Sequence, residues 1–272
     1  VIRVKTYDMT DKFIDVVATF PKLKCSIHDK PNENEIKESY WNELDHDTKL
    51  SLNQERSIQR TKTKVKRYVI HKDMRYMWTL TFAKKIVPVK SSKGITNYDA
   101  GCLNDVWKIW KAFMKRCERA KLKFDYIVTV EVQEKRLETY GEKVYHFHFA
   151  TNKNLPIDNA FAKKRGMKEG MLSLWGHGSI NVQKQKSKKK FANIYLMKYI
   201  TKMFEATGKG TQRYRCSQNM VIPTRNMWFP TEEALDFWIN KMAAIKDLKF
   251  FKEYYPLSNG NNEVLYYGLS PI

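Results

Sequence analysis

The sequence predicts an α+β fold, and two observations carry that expectation. Segments 76–83, 125–133 and 143–150 mix aromatic, β-branched and polar residues at strand period. Between the first two, segment 99–121 repeats its apolar residues at helical period. In 76–83, Thr79 and Thr81 share one face, and Trp78, Leu80 and Phe82 share the other. In 99–121, Leu103, Val106, Trp107, Trp110, Phe113, Met114 and Cys117 form one stripe, read as a core-facing helix surface. Segments 125–133 and 143–150 pair most simply as an antiparallel hairpin. A loop centred near Thr139 and Tyr140 sets Glu131 opposite His148 and Gln133 opposite His146.

The remaining elements follow in order. Val1-Ile2-Arg3-Val4 and Phe13-Ile14-Asp15-Val16-Val17 read as edge strands, and 28–50 as a polar, acidic loop with a short helix. Residues 51–72 form a helix that Ser51 can cap. Its stretch from Arg56 through Arg60 to Arg67 is basic with only Glu55 close by, which suits either a solvated or a phosphate-contacting face. Residues 84–98 read as a basic loop and 157–169 as a basic helix. Leu172 to Gln183 turns at Gly176 and Gly178 into a fourth strand. A lysine cluster with Lys184, Lys186 and Lys188 leads into a helix over 191–206, which Gly208 and Gly210 end. Arg213 to Ile222 reads as a fifth strand, Thr231 caps a helix over 232–246, and the rest reads as an irregular aromatic tail. The expected organisation is an N-terminal extension with a basic helix (1–72), a central domain (73–225) and a C-terminal helix and tail (226–272).

At 272 residues the chain is long enough to bury a substantial core. Its formal net charge of +21 favours a polyanionic partner, nucleic acid first. No apolar run is long enough to span a bilayer, and no secretory signal pattern opens the chain, so a cytoplasmic protein without a membrane partner is expected. Cys25, Cys102, Cys117 and Cys216 are scattered and form no C-x-x-C pair; they read as free thiols rather than zinc ligands.

Two motifs carry chemistry. His146 and His148, two apart on a strand, project to one face and can bind one metal ion, with Glu131 adding a carboxylate from the neighbouring strand. Two imidazoles and a carboxylate suit Mn²⁺ or Mg²⁺ acting on a phosphate oxygen. Histidines part-buried on a sheet give the same pattern without a metal. Tyr195 and Tyr199 stand one helical turn apart, each followed three residues later by a lysine, Lys198 and Lys202. A nearby cation favours the phenolate and so activates a tyrosine as nucleophile. Two aromatics on a helix also fit a core face, although Ile194, Leu196, Met197 and Ile200 can supply one instead. His177, between two glycines, reads as a turn residue near the nucleic acid.

Taken in order, Thr79-Leu80-Thr81-Phe82, Glu131-x-Gln133, His146-Phe147-His148 and Tyr195-x-x-Lys198-Tyr199-x-x-Lys202 resemble the HUH endonucleases. The likeness is to two-tyrosine initiators of rolling-circle replication in phages and plasmids. It extends to the Trp175-Gly176-x-Gly178 turn and to Arg213-Tyr214-x-x-Ser217, and spans roughly residues 56–222. The resemblance implies an RRM-like palm, in which a central antiparallel sheet carries the histidines on a middle strand and the tyrosine helix packs beside them. It implies Glu131, His146 and His148 as ligands of Mn²⁺ or Mg²⁺, Tyr195 and Tyr199 as nucleophiles, and Lys198 and Lys202 as their support. It further implies nicking and joining of single-stranded origin DNA through a 5′-phosphotyrosine, in the cytoplasm of a prokaryotic host. Arg56, Arg60, Lys184, Lys186, Lys188, Arg213 and Ser217 are the expected DNA contacts. No Walker motif is present, so a host helicase and polymerase are expected as partners. The same chemistry serves transposases and relaxases, and a non-catalytic single-strand-binding module is the rival of a different class.

Overall fold

The computed structural model describes residues 1–10, 13–21, 46–184, 198, 202, 214–218, 220–246, 248–256 and 262–271. The chain forms two compact units. One is built from Val1–His71 together with Val221–Ile272, the other from Lys72–Met220. The elements of the first are β1 (Ile2–Thr10), β2 (Phe13–Pro21) and α1 (His46–His71), which precede the second unit in sequence. The second unit contains β3 (Tyr76–Thr81), β4 (Ile86–Ser91), β5 (Gly94–Asp99), α2 (Leu103–Arg119), β6 (Tyr126–Val132), α3 (Glu134–Tyr140) and β7 (Tyr145–Thr151). It continues with α4 (Asn159–Lys164), α5 (Met171–Trp175), β8 (Ile180–Lys184) and β9 (Tyr214–Cys216). The chain then returns to the first unit with β10 (Thr224–Phe229), α6 (Glu232–Lys246), β11 (Leu248–Pro256) and β12 (Asn262–Pro271).

The fold is α+β. In the Lys72–Met220 unit, five antiparallel strands run in the order β8-β3-β7-β6-β9, so the histidine strand β7 is central. Strand alternation divides the sheet into two chemically different faces. Trp78, Leu80, Val128, Val130, Phe147 and Phe149 point to the apolar face and are fully buried. The stripe on α2 closes over them: Trp110 stands 5.1 Å from Phe147 and 5.3 Å from Phe149 between ring centroids. Truncating a buried aromatic of this kind costs about 3–5 kcal/mol, so this layer is the main anchor of the sheet. Trp78 satisfies its indole N–H by donating to Thr151 Oγ1 at 2.9 Å. The opposite face carries Thr79, Thr81, Thr129, Glu131, His146 and His148.

The hairpin register differs from expectation. Glu131 lies opposite His146, and Thr129 lies opposite His148. The connection is not an open loop but α3, which Gly141 ends in the left-handed conformation (φ 65°). Inserting a helix moves the pairing by two residues. A two-residue shift preserves parity, so Glu131 stays on the histidine face. Gln133 leaves that face and donates to the Tyr145 carbonyl at 3.0 Å.

The glycine turn before β8 has a steric reason. A Cβ on Gly178 (φ 157°) would stand 2.0 Å from the Thr81 carbonyl oxygen. That close approach lets Thr81 N donate to Ser179 O and Ala83 N to His177 O, which carries β8 alongside β3. The expected basic loop at 84–98 is the β4–β5 hairpin. Val87 and Val89 are buried while Ile86, Pro88 and Lys90 are exposed, a strand period that the proline and lysines obscured. The expected helix over 157–169 is only α4, capped by Asp158 and followed by Gly166 at φ 69°. The expected fifth strand is reduced to β9.

The other unit has its own five-stranded antiparallel sheet, ordered β10-β1-β2-β12-β11. Ile2, Val4, Ile14, Val16 and Ala18 are buried on one face, against Leu235 and Ile239 of α6. Thr231 accepts from Ala234 N and starts that helix as expected. β1 and β2, expected at an edge, are both interior. The expected C-terminal tail is the pair β11 and β12, whose aromatic-rich sequences favour strands but lack an obvious two-residue alternation.

Candidate metal centre

On the polar face of the β8-β3-β7-β6-β9 sheet, three side chains converge. Glu131 Oε2 lies 3.1 Å from His146 Nε2 and 2.9 Å from His148 Nε2, and the two Nε2 atoms are 3.0 Å apart. All three are largely shielded from solvent, His148 most of all. The strand register explains the convergence: His146 and His148 alternate onto one face of β7, and Glu131 is the direct cross-strand neighbour of His146.

A second layer holds these groups. Thr79, opposite His148 on β3, places Oγ1 3.1 Å from His148 Nδ1. Lys202 Nζ lies 2.7 Å from Glu131 Oε1 and 2.9 Å from Glu134 Oε1 at the start of α3. Burial opposes the charge on Glu131, but hydrogen bonds from His146, His148 and Lys202 outweigh it and hold the carboxyl well below the usual carboxylate range. Glu131 and then Glu134 raise the Lys202 ammonium above its ordinary value. Burial lowers His148 to about 4 against the pull of Glu131. At neutral pH the Glu131–His148 contact is therefore a hydrogen bond between a carboxylate and a neutral imidazole, not an ion pair.

The donor set fits a divalent cation. One carboxylate oxygen and two imidazole nitrogens lie within 4.8 Å of one another. Neutral imidazole is the ligating form, and one carboxylate with two such nitrogens accepts several divalent metals. The group could hold a metal; its chemistry does not name which one. A cavity of about 800 Å³ opens beside Glu131 and His146, with Glu134, Arg136 and Tyr140 of α3 on its wall. Arg136 ties α3 to the end of β3, donating to Glu142 at 2.7 Å and to the Phe82 carbonyl at 3.1 Å.

The structure thus brings together Glu131, His146, His148 and Lys202 of the expected site. Lys198 is helical and exposed. Tyr195, Tyr199, Lys186, Lys188 and Arg213 lie outside the described residues, as does the side chain of Arg56 on α1. Arg60 is exposed on α1, and Lys184 is exposed at the end of β8. The Ser217 hydroxyl is engaged by the chain itself, accepting from Tyr126 N at 3.0 Å. His177 is a turn residue: Arg116 Nη2 is 3.1 Å from its Nε2, and the Trp175 ring meets it edge-on. The same guanidinium donates to the Leu174 and Trp175 carbonyls at the end of α5. The supporting roles of Thr79, Glu134 and Arg116 were not predicted. Only Thr79 left a trace in the sequence, its alternation with Thr81 on one strand face.

The fold and site define an α+β unit with a histidine-pair-and-carboxylate centre on the open face of an antiparallel sheet. Residues 75–204, which supply most of that unit, match the family of replication-associated proteins of the ORF2 type. That likeness supports a role in the initiation of replication, with DNA as the partner. No curated protein and no solved structure matches the chain. Among the described residues, no helix is long and apolar enough to cross a membrane.

Proposed function

We propose that the chain is a metal-dependent DNA nicking and joining enzyme that starts rolling-circle replication at an origin. The observation that carries this reading is the convergence of Glu131, His146, His148 and Lys202 within the stretch that matches the replication-associated family. A bound Mn²⁺ or Mg²⁺ would supply Lewis-acid polarisation of a phosphate oxygen. Glu131, His146 and His148 hold that ion. Lys202 fixes the carboxylate and adds positive charge where the phosphate would sit.

The nucleophile is assigned to the tyrosines that precede Lys202 in sequence. On a helix, Tyr199 shares a face with Lys202 and Tyr195 shares one with Tyr199. The phenolic oxygen bonds to phosphorus and its proton passes to solvent. The P–O3′ bond breaks, leaving a 5′-phosphotyrosine and a 3′ oxygen that takes a proton from solvent. The free 3′-OH then primes a host polymerase, and a host helicase opens the duplex. Reversal from a second strand end, with the other tyrosine available, provides joining. The setting is the cytoplasm of a prokaryotic host.

The test is incubation with single-stranded origin oligonucleotides and Mn²⁺, followed by mass spectrometry of tryptic adducts. A phosphotyrosine-linked oligonucleotide on the peptide holding Tyr195 and Tyr199 is expected. Replacing both with Phe should abolish it; an adduct that persists in the double variant would sink the assignment.

A further inference from the structure

The second sheet has one face covered and one open. Ile2, Val4, Ile14, Val16 and Ala18 face α6. The register assigns the opposite face equally clearly. Arg3 lies between Trp228 and Thr19, Lys5 between Asn226 and Val17, and Tyr7 between Thr224 and Asp15. Direct cross-strand partners share a face, so Trp228, Asn226, Arg3, Lys5 and Tyr7 form one patch across β10 and β1. Arg3, Lys5 and Asn226 are exposed, and Trp228 is 63% exposed on the open strand.

The charges on this face have one sign. Among the described side chains of β1, β2 and β10, its only acid is Asp15, which is buried and paired with Arg67 at 2.8 Å. That guanidinium also lies 3.5 Å over the Tyr7 ring, and the Lys5 ammonium lies 5.4 Å from the ring centroid. Thus one end of the patch is an aromatic ring already bracketed by cations, and the other is an open indole beside an arginine. Burying an exposed tryptophan needs an apolar or π-faced partner, while Arg3 and Lys5 need an anionic one. Single-stranded nucleic acid supplies both, with bases that stack and phosphates that pair. A duplex hides its base faces, so it satisfies the charges but not the indole.

We infer that the β10–β1 face of the terminal unit, through Trp228, Arg3 and Lys5, is a binding surface for single-stranded DNA separate from the metal centre. The choice of DNA over RNA rests on the proposed function; the stacking surface itself does not.

The test uses the 272-residue chain and a fluorescein-labelled oligothymidylate, read by anisotropy in EDTA so that no metal-dependent step contributes. Trp228→Ala should weaken binding about 5- to 100-fold, the range found for loss of one base stack. Arg3→Gln with Lys5→Gln should reduce the slope of log affinity against log salt by about 1.4, at about 0.7 per phosphate contact on a single strand. Both changes are at exposed positions, and circular dichroism should match the parent. Parent-like affinity and salt slope in both variants would overturn the inference. So would an equal loss on a blunt duplex of the same sequence, because stacking would then not be the source. Nicking is measured separately with Glu131→Gln. Lost nicking in the parent with an intact Trp228 effect removes the enzyme reading alone, and intact nicking with no Trp228 effect removes this surface alone.

Discussion

Lys202 and Glu131 meet at 2.7 Å through Oε1, while the other oxygen of the same carboxylate, Oε2, faces both histidines. The carboxylate is thus divided between a fixed cation and a donor cluster. Lys202 has no lone pair to offer while protonated, and its partners keep it protonated. Its contribution is therefore electrostatic and orienting, distinct from that of a ligand.

This separation gives the first prediction. Lys202→Met should leave Mn²⁺ affinity equal to or above that of the parent, since the ammonium competes for Glu131 charge. Nicking at saturating Mn²⁺ should fall by about 10²- to 10³-fold, the usual loss for one preorganised electrostatic group. Paramagnetic resonance titration of free Mn²⁺ and an oligonucleotide nicking assay read the two quantities. A loss of metal affinity as large as that from a histidine variant would show that Lys202 acts only by placing Glu131.

The ligand assignment predicts the opposite split. His146→Ala, His148→Ala and Glu131→Gln should each weaken Mn²⁺ binding by about 100-fold or more, at or beyond the upper end for residues that merely support ligands. Nicking should recover partly at raised Mn²⁺ and vanish in EDTA for every form of the protein. Full activity in EDTA would remove the metal from the reaction.

How much of this was legible in the sequence depends on which physical signal each residue leaves. Strand parity placed His146, His148 and Glu131 on one face, because the two-residue alternation is local and survives a shift of register by two. The register itself was not legible: residues 134–140 lack the length for a helical periodicity, yet Gly141 and the Arg136–Glu142 contact shape them into α3. The Trp110 stripe was plain because α2 spans several turns with one apolar face. The terminal unit was misread because its sheet is assembled from both ends of the chain, with β1 seated between β10 and β2. No local pattern reports a partner strand as distant in sequence as Trp228 is from Arg3. Lys202 was marked by spacing from the tyrosines, but its contact with Glu134 depends on α3 and so could not be read.

Thr79 provides a test of the layer beneath the ligands. Without a cation between them, a neutral His148 donates Nε2–H to Glu131 and accepts at Nδ1 from the threonine hydroxyl. To offer Nε2 to a cation, the proton must sit on Nδ1 and donate to the same oxygen. A hydroxyl can rotate to serve either tautomer; a methyl cannot. Thr79→Val should therefore weaken Mn²⁺ binding about 10- to 100-fold with little change in fold, and Thr79→Ser should restore most of it. Equal metal affinity in the valine and serine variants would show that the 3.1 Å contact does not set the tautomer.

His177 predicts a pH dependence of stability away from the metal centre. Burial first, and then the neighbouring Arg116 guanidinium, lower its pKa to about 4 from an ordinary value of 6.5. Between those values the unfolded chain binds the proton and the folded chain does not, so falling pH favours unfolding. The stability from keeping His177 neutral is fully present above about pH 6.5 and is lost progressively toward pH 4. His148, lowered to about 4 as well, acts in the same direction, so the pH dependence of the parent alone does not isolate either group. His177→Gln keeps an acceptor for Arg116 and removes the titration. Urea midpoints of the variant should therefore lie near the parent's above about pH 7, and should fall less steeply between pH 6.5 and pH 4. Parallel midpoint-against-pH curves for the two proteins would mean that His177 takes up its proton in the folded chain as readily as in the unfolded one.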